Sequence, residues 1–396
     1  MLWEADDSGR DVAIVPGSQR ELFEIPDDIA YLNCAYMAPQ LRKVRAVGEE
    51  AVARKSRPWE ISPRDFFENS ETARRLFAQL VGGDTEGVAI IPSASYGMAA
   101  ATANVPLKTG QNVVVLEEQF PSNIYPWREL AKHTGAKVVT VPRPAGQDWT
   151  SAVLEHVDGR TAVVAVPNCH WTDGSILDLV RTGERTKEVG AALVVDATQS
   201  LGACPLNVSE VRPDFLVSAA YKWLLGPYSL GFLYVSETYR EGVPIEHNWI
   251  SRESSEDFAR LVEYTDAYAP GARRYDVGER SNFVLLPMAI EALRQILTWG
   301  VENIAASLRM LTDRIEEEAE KLGIEAVPAT MRAGHMIGLG LGPEAPKDLA
   351  TRLAEENVFV SVRGHNLRVS PHLYNTERDV RRLFESLNRH LRPTAD

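Results

Sequence analysis

From about Val113 onward, short runs of almost uninterrupted apolar residues alternate with stretches whose apolar positions recur at helical spacing. Val113–Glu118, Ala136–Pro142, Thr161–Asn168 and Ala191–Ala197 are the clearest of these runs. A strand with one wet face would alternate apolar and polar residues, so runs this apolar predict strands covered by helices on both faces, as in a parallel sheet. Trp149–Val157 and Ile176–Val189 predict crossover helices between them, and Asp214–Ala220 and Gly231–Ser236 add two more strands. This is the pattern of βαβ units, and it implies an α/β fold built on a large, mainly parallel sheet.

After Asp276 the pattern changes. Leu285–Trp299 and Val301–Leu322 read as two long helices with charged outer faces, the second stopped by Gly323. His335–Gly342, Lys347–Glu356 and the pair Phe359–Gly364 and Asn366–Pro371 then predict a smaller α+β unit. The expectation is a large domain over residues 21–275 and a small one over 276–396, joined by residues 1–20. A chain of 396 residues fits two domains, because single cores stop growing beyond about 250–300 residues.

Composition narrows the function. A net charge of −13 repels phosphate backbones and anionic lipid, so neither a nucleic-acid nor a membrane partner is expected. Cys34, Cys169 and Cys204 are too few and too scattered for a disulfide framework or a zinc cluster, which fits a reducing compartment. Asn168-Cys169-His170 has no second ligand pair at zinc spacing, so no metal is expected either. Met1–Arg20 carries Glu4, Asp6, Asp7 and Asp11 and no apolar stretch, and no segment nears the ~20 apolar residues of a membrane span. The expectation is a soluble, cytoplasmic protein.

In an open α/β sheet, ligands bind beyond the carboxyl ends of the strands, so the polar residues at those ends are the candidates. Asp196 ends the run Leu193–Val195, with Gln199 one turn further on. A carboxylate leaving so apolar a strand is desolvated unless it meets a positive partner, and a protonated pyridine nitrogen is such a partner. Lys222 stands between Tyr221 and Trp223. An aromatic, poorly hydrated setting lowers a lysine's pKa, which suits an amine that forms a Schiff base and moves protons. Most lysines are solvated surface groups; it is the Asp-x-x-Gln upstream that tips the balance here. A third strand end runs into Ser93, Ala94, Ser95 and Gly97 and then a helix, a setting for an anion, although alone it reads as an ordinary serine cap. His170 follows Asn168 within reach of a substrate, as acid/base or as a hydrogen-bonded structural residue. Gly338–Gly342 is not a nucleotide loop, because no helix opens at its third glycine and no acidic ribose partner follows.

Together these residues resemble the class V aminotransferase group of fold-type I pyridoxal phosphate enzymes, which includes cysteine desulfurases, selenocysteine lyases, isopenicillin N epimerase and kynureninase. The resemblance runs from Tyr31–Pro39 to Leu367–Leu383 and is most specific between Asp196 and Gly231. It implies a seven-stranded-type sheet with a smaller α+β C-terminal domain, pyridoxal 5'-phosphate as cofactor, an amino-acid substrate and a homodimer whose sites share residues. Lys222 would hold the cofactor covalently, Asp196 would pair with its ring nitrogen, and Gln199 would contact the ring oxygen. Tyr221, and Ser95 with the backbone of Ala94, would contact the phosphate, and Phe120 would stack on the ring. Asn168 would lie near the ring oxygen and the substrate, and Arg368 would take the substrate α-carboxylate. Ser281 or Asn282 would reach the partner subunit's phosphate.

Departures from the family direct the expected chemistry. Desulfurases carry a nucleophilic cysteine on a loop before the substrate arginine, whereas here Val362 to Leu367 run straight into Arg368 without one. Persulfide chemistry at that position is excluded. The family's serine three places before the lysine is Ala219. Arg363 is a second substrate arginine or a surface charge, and His365 and His372 flank Arg368. The expected reaction is transamination, with Lys222 moving the proton; β-elimination from a sulfur or selenium amino acid and epimerisation remain open. A dinucleotide oxidoreductase would need a glycine-rich turn where Gln119 and Phe120 stand. A cofactor-binding relative without activity is opposed by the intact Lys222.

Overall fold

The computed structural model describes residues 17–391. A short strand β1 (Ala30–Tyr31) precedes helices α1 (Arg42–Lys55) and α2 (Asp65–Val81). The βα alternation then runs through β2 (Val88–Ile91), α3 (Ala94–Asn104), β3 (Asn112–Leu116), α4 (Tyr125–Thr134), β4 (Lys137–Val141) and α5 (Trp149–His156). It continues through β5 (Thr161–Pro167), α6 (Leu179–Glu188), β6 (Ala192–Asp196), the single turn α7 (Val208–Val211), β7 (Phe215–Ala219) and β8 (Gly231–Val235). Seven strands form one sheet in the order β2-β8-β7-β6-β5-β3-β4. Only β8 runs against its neighbours, β7 and β2; the other pairs are parallel.

The apolar runs are explained by two covers. Val114, Val164, Val195 and Leu216 point into a layer shared with Phe77 of α2. Val113, Val163, Val194 and Val217 point the other way, onto Met98 of α3 and Trp127 of α4. The run at Ala136–Pro142 behaves differently: β4 is an edge strand with Lys137 and Thr140 exposed.

Helix α8 (Leu285–Trp299) lies against α1 and α2, and its Leu286, Leu293 and Ile296 join the large core. After α9 (Val301–Lys321) come β9 (Ile337–Gly340), α10 (Leu349–Glu355), β10 (Val358–Phe359), β11 (Ser361–Arg363), β12 (Asn366–Val369) and α11 (Glu377–Leu391). A second sheet has the antiparallel order β11-β12-β9, while β10 pairs in parallel with β1. A separate core gathers Ile337, Leu353, Val369 and Leu383. The N-terminal segment enters this unit: Ala30 and Leu32 join its core, the Gln19 amide donates to the Leu373 carbonyl at 2.7 Å, and Arg20 pairs with Asp379 at 3.3 Å. Residues 1–16, also expected there, lie outside the described residues. Among the described residues no helix is long and apolar enough to cross a membrane.

Candidate active site

The parallel strands release their chains at one edge of the sheet, and the segments leaving β2, β3, β5, β6 and β7 enclose a cavity of about 280 Å³. That is close to the lower end of the ~300–1,000 Å³ typical of ligand pockets. Ser93, Ala94 and Ser95, then Phe120 and Ser122, then Cys169 and Trp171 line it, with Asp196, Thr198, Gln199, Tyr221, Lys222 and Tyr228 completing the wall.

Lys222 is carried past β7 on a turn in which the Ala220 amide donates to Leu230 and the Gly226 amide to Ala220, each at 2.9 Å. Its side chain is buried, with Nζ 5.4 Å from the centroid of Phe120 and 5.5 Å from that of Tyr221. Burial pushes its pKa down from 10.5 to about 8; Asp196 pulls it up, while Arg368 and Arg363 press it further down. Asp196 ends β6 and accepts the Thr198 amide at 3.0 Å. Burial raises its carboxyl pKa, against the lowering pull of Thr198 and Lys222. Among the described residues no cation lies within 4.0 Å of this carboxylate. Acid and amine thus share a cavity without forming an ion pair, which leaves both free for a third group.

The other walls fit the rest of a pyridoxal phosphate molecule. Ser93 caps α3, accepting the Tyr96 amide at 3.2 Å, and Ser95 Oγ donates to Ser122 Oγ at 2.9 Å. The first N–H groups of a helix have no intrahelical acceptor, so hydroxyls and amides suited to a phosphate meet here. Phe120, 38 % exposed, stands edge-on to Trp171 with centroids 5.4 Å apart. Gln199 is braced by donating to the Ala35 carbonyl and accepting from Trp223 Nε1, both at 3.1 Å. A primary amide carries two hydrogens, so one remains for a ligand oxygen.

Arg368 lies beyond the lining, on β12. Its Nη1 donates to the Trp171 carbonyl at 2.7 Å, and its Nε is buried without a partner. Burial, reinforced by Arg363, lowers its pKa to about 9. Among the described residues no carboxylate pairs with it, and a buried guanidinium left this way is costly unless a ligand neutralises it.

Four expected residues lie elsewhere. Asn168 is buried behind the wall, donating weakly to the Leu177 carbonyl at 3.4 Å, with Oδ1 unpartnered. His170 is also outside the lining: its ring stacks on Trp149 at 5.3 Å, with Nδ1 2.8 Å from Thr172 Oγ1 and Nε2 3.1 Å from the Glu117 carbonyl. With both nitrogens engaged and its pKa lowered by burial, it fastens the Phe120 loop and has nothing left for a substrate. Ser281 Oγ donates to the Phe66 carbonyl at 2.6 Å, and Asn282 Oδ1, just before α8, accepts the Leu285 amide at 2.8 Å; neither lines the cavity of its own chain. Conversely, Ser122, Trp171, Thr198 and Tyr228 were not anticipated. Thr198, between Asp196 and Gln199, was the one in plain view; its Oγ1 accepts the Ala219 amide at 3.2 Å and ties the β6 exit to β7.

Comparison with known proteins identifies the family and the fold. The sequence model described as Aminotransferase class-V matches residues 62–383. The chain is 28 % identical over 327 residues to the uncharacterized aminotransferase YcbU of Bacillus subtilis, covering 82 % of this chain and 84 % of that one. It is 26 % identical to a cysteine desulfurase of Salmonella typhimurium, covering 82 % and 79 %. The fold matches the cysteine desulfurase CsdA of Escherichia coli with a TM-score of 0.80, at 20 % identity over 94 % and 97 % of the two chains. It also matches the cystine C-S lyase C-DES, in complex with its reaction product cysteine persulfide, with a TM-score of 0.82 at 15 % identity over 91 % and 97 %.

Proposed function

We propose that this chain, which belongs to the class-V aminotransferase family and is therefore a pyridoxal phosphate-dependent enzyme, is an aminotransferase acting on an amino acid. The cofactor, when bound, supplies an aldehyde carbon for the substrate amine and a ring that accepts the electron pair of the substrate Cα. The protein's own groups do the rest. Lys222 Nζ, with its pKa near 8, takes and returns a proton at about neutral pH, which is what a base serving Cα needs. Asp196 keeps a ring nitrogen protonated by charge, Phe120 covers the ring, and Ser95, Ser122 and the first turn of α3 hold the phosphate. Arg368 takes the substrate carboxylate.

One observation carries the reading: a buried, low-pKa lysine and a buried, unpaired aspartate face one cavity, while the β11–β12 hairpin beside it holds no thiol. Cys34 and Cys169 are buried and held protonated by that burial, and Cys204 is also pushed up, to about 11. The test is a half-reaction: the yellow protein mixed with an amino acid should yield one equivalent of 2-oxo acid, and a second 2-oxo acid should restore the original spectrum. Ammonia released with pyruvate, with no restoration, would favour β-elimination instead. A homodimer, with Ser281 or Asn282 reaching the partner subunit's phosphate, belongs to the same proposal and rests on the resemblance to the family. Sedimentation at about twice the monomer mass would support it, and a monomer with full cofactor occupancy would end it.

A further inference from the structure

We propose that the substrate carries a second anionic group on its side chain, most simply a carboxylate, and that Arg363 holds it while Arg368 holds the α-carboxylate. This rests on reading the cavity as an amino-acid site and adds the substrate class to that reading.

The argument starts from register. On the β11–β12 hairpin Arg368 stands opposite Ser361, and Arg363 stands opposite Asn366. Arg363 is therefore two residues along the facing strand from Arg368's partner, which makes the two arginines diagonal neighbours on one face of the sheet. Both converge on Trp171, a residue of the cavity wall. Arg368 donates to the Trp171 carbonyl at 2.7 Å, and the Arg363 guanidinium carbon lies 5.8 Å from the centroid of the Trp171 ring.

Neither arginine has an anionic partner. Arg363 Nη1 donates to the carbonyl of its neighbour Val362 at 2.8 Å, and among the described residues no carboxylate lies within 4.0 Å of either guanidinium. The nearby acids are already used: Asp173 and Glu118 both pair with Arg143. Two like charges on one face repel each other; Arg363 presses the pKa of Arg368 down, and both arginines press on Lys222. An α-carboxylate neutralises one of them and leaves the other uncompensated; a dicarboxylic amino acid neutralises both. The guanidinium fork suits this role, since it binds carboxylate oxygens in pairs and still stacks on an aromatic face.

The test uses the cofactor-loaded protein and acids that cannot react. Calorimetric titration should show succinate binding roughly ten- to a hundredfold more tightly than butyrate, the advantage expected of one charged hydrogen-bonded contact. Arg363→Met should erase that preference and Arg363→Lys should keep part of it. With amino donors, wild-type protein should favour aspartate or glutamate over asparagine or glutamine in kcat/KM, and Arg363→Met should narrow the gap. Equal affinity of the wild type for succinate and butyrate overturns the proposal, as does an Arg363→Met protein that still prefers succinate. Because these acids bind without any bond breaking, their preference stands or falls independently of whether the enzyme transaminates.

Discussion

Capture of pyridoxal phosphate by the cofactor-free protein should follow the neutral fraction of Lys222, because only the unprotonated amine attacks an aldehyde. With a pKa of about 8, about one molecule in ten has a neutral Lys222 at pH 7. At the ordinary 10.5 the fraction is about three in ten thousand, so burial gives a roughly 300-fold advantage. The capture rate should climb with pH and level off above about 8. Two variants should move that midpoint in opposite directions. Asp196→Asn removes a carboxylate that pulls the lysine's pKa up, so its midpoint falls; Arg368→Gln removes a cation that presses it down, so its midpoint rises. The assay is rapid mixing of apoprotein with excess cofactor across pH, followed by absorbance, with borohydride trapping and peptide mapping to confirm Lys222. A wild-type rate still climbing near pH 10, or two variants that shift the same way, would refute the reasoning.

Three further outcomes are expected. Lys222→Met should stabilise the cofactor-free protein: its folded pKa lies below the unfolded value, so burying the lysine costs most below pH 8 and nothing above 10.5. At about 1.36 kcal/mol per tenfold the gain at pH 7 is about 3 kcal/mol, less whatever Asp196 loses, and urea midpoints at pH 7 and 10.5 measure it. His372 has both ring nitrogens buried without partners, and burial, with His335, pushes its pKa to about 3. Unfolded histidine protonates first as pH falls through about 6.5, so stability should drain away below that, and His372→Phe should flatten the loss in thermal unfolding at pH 5 against pH 7. Ser95→Ala should raise the cofactor's dissociation constant roughly tenfold, as one lost hydrogen bond to a charged oxygen does; an unchanged constant in fluorescence titration would remove Ser95 from the phosphate site.

Much of the sheet was legible because a strand buried on both faces has to be apolar throughout. β3, β5, β6 and β7 fall within the expected runs to within a residue or two. The candidates Ser95, Phe120, Asp196, Gln199, Tyr221 and Lys222 converge on one cavity for a related reason: each follows the carboxyl end of a parallel strand, and those ends share an edge. The rest depended on what periodicity leaves out. Helical spacing marks which face of Leu285–Trp299 is apolar without saying what covers it, and that face lies on α1 and α2. His170 and Asn168 lie just past β5, where the chain stops alternating, so their side-chain directions were open until the loop was seen to fold over Trp149. The shared face of Arg363 and Arg368 is a matter of hairpin register, which the four intervening positions cannot specify.

The turn from Ala220 to Leu230 has a kinetic consequence. Both of its ends are stitched into the middle of the sheet, to β7 on one side and to β8 on the other. Under the proposed function, an amine held at Lys222 is on a short tether and stays at high effective concentration beside the cofactor. Surface loops elsewhere can absorb inserted residues at little entropic cost, but slack added here would dilute the base at its point of use.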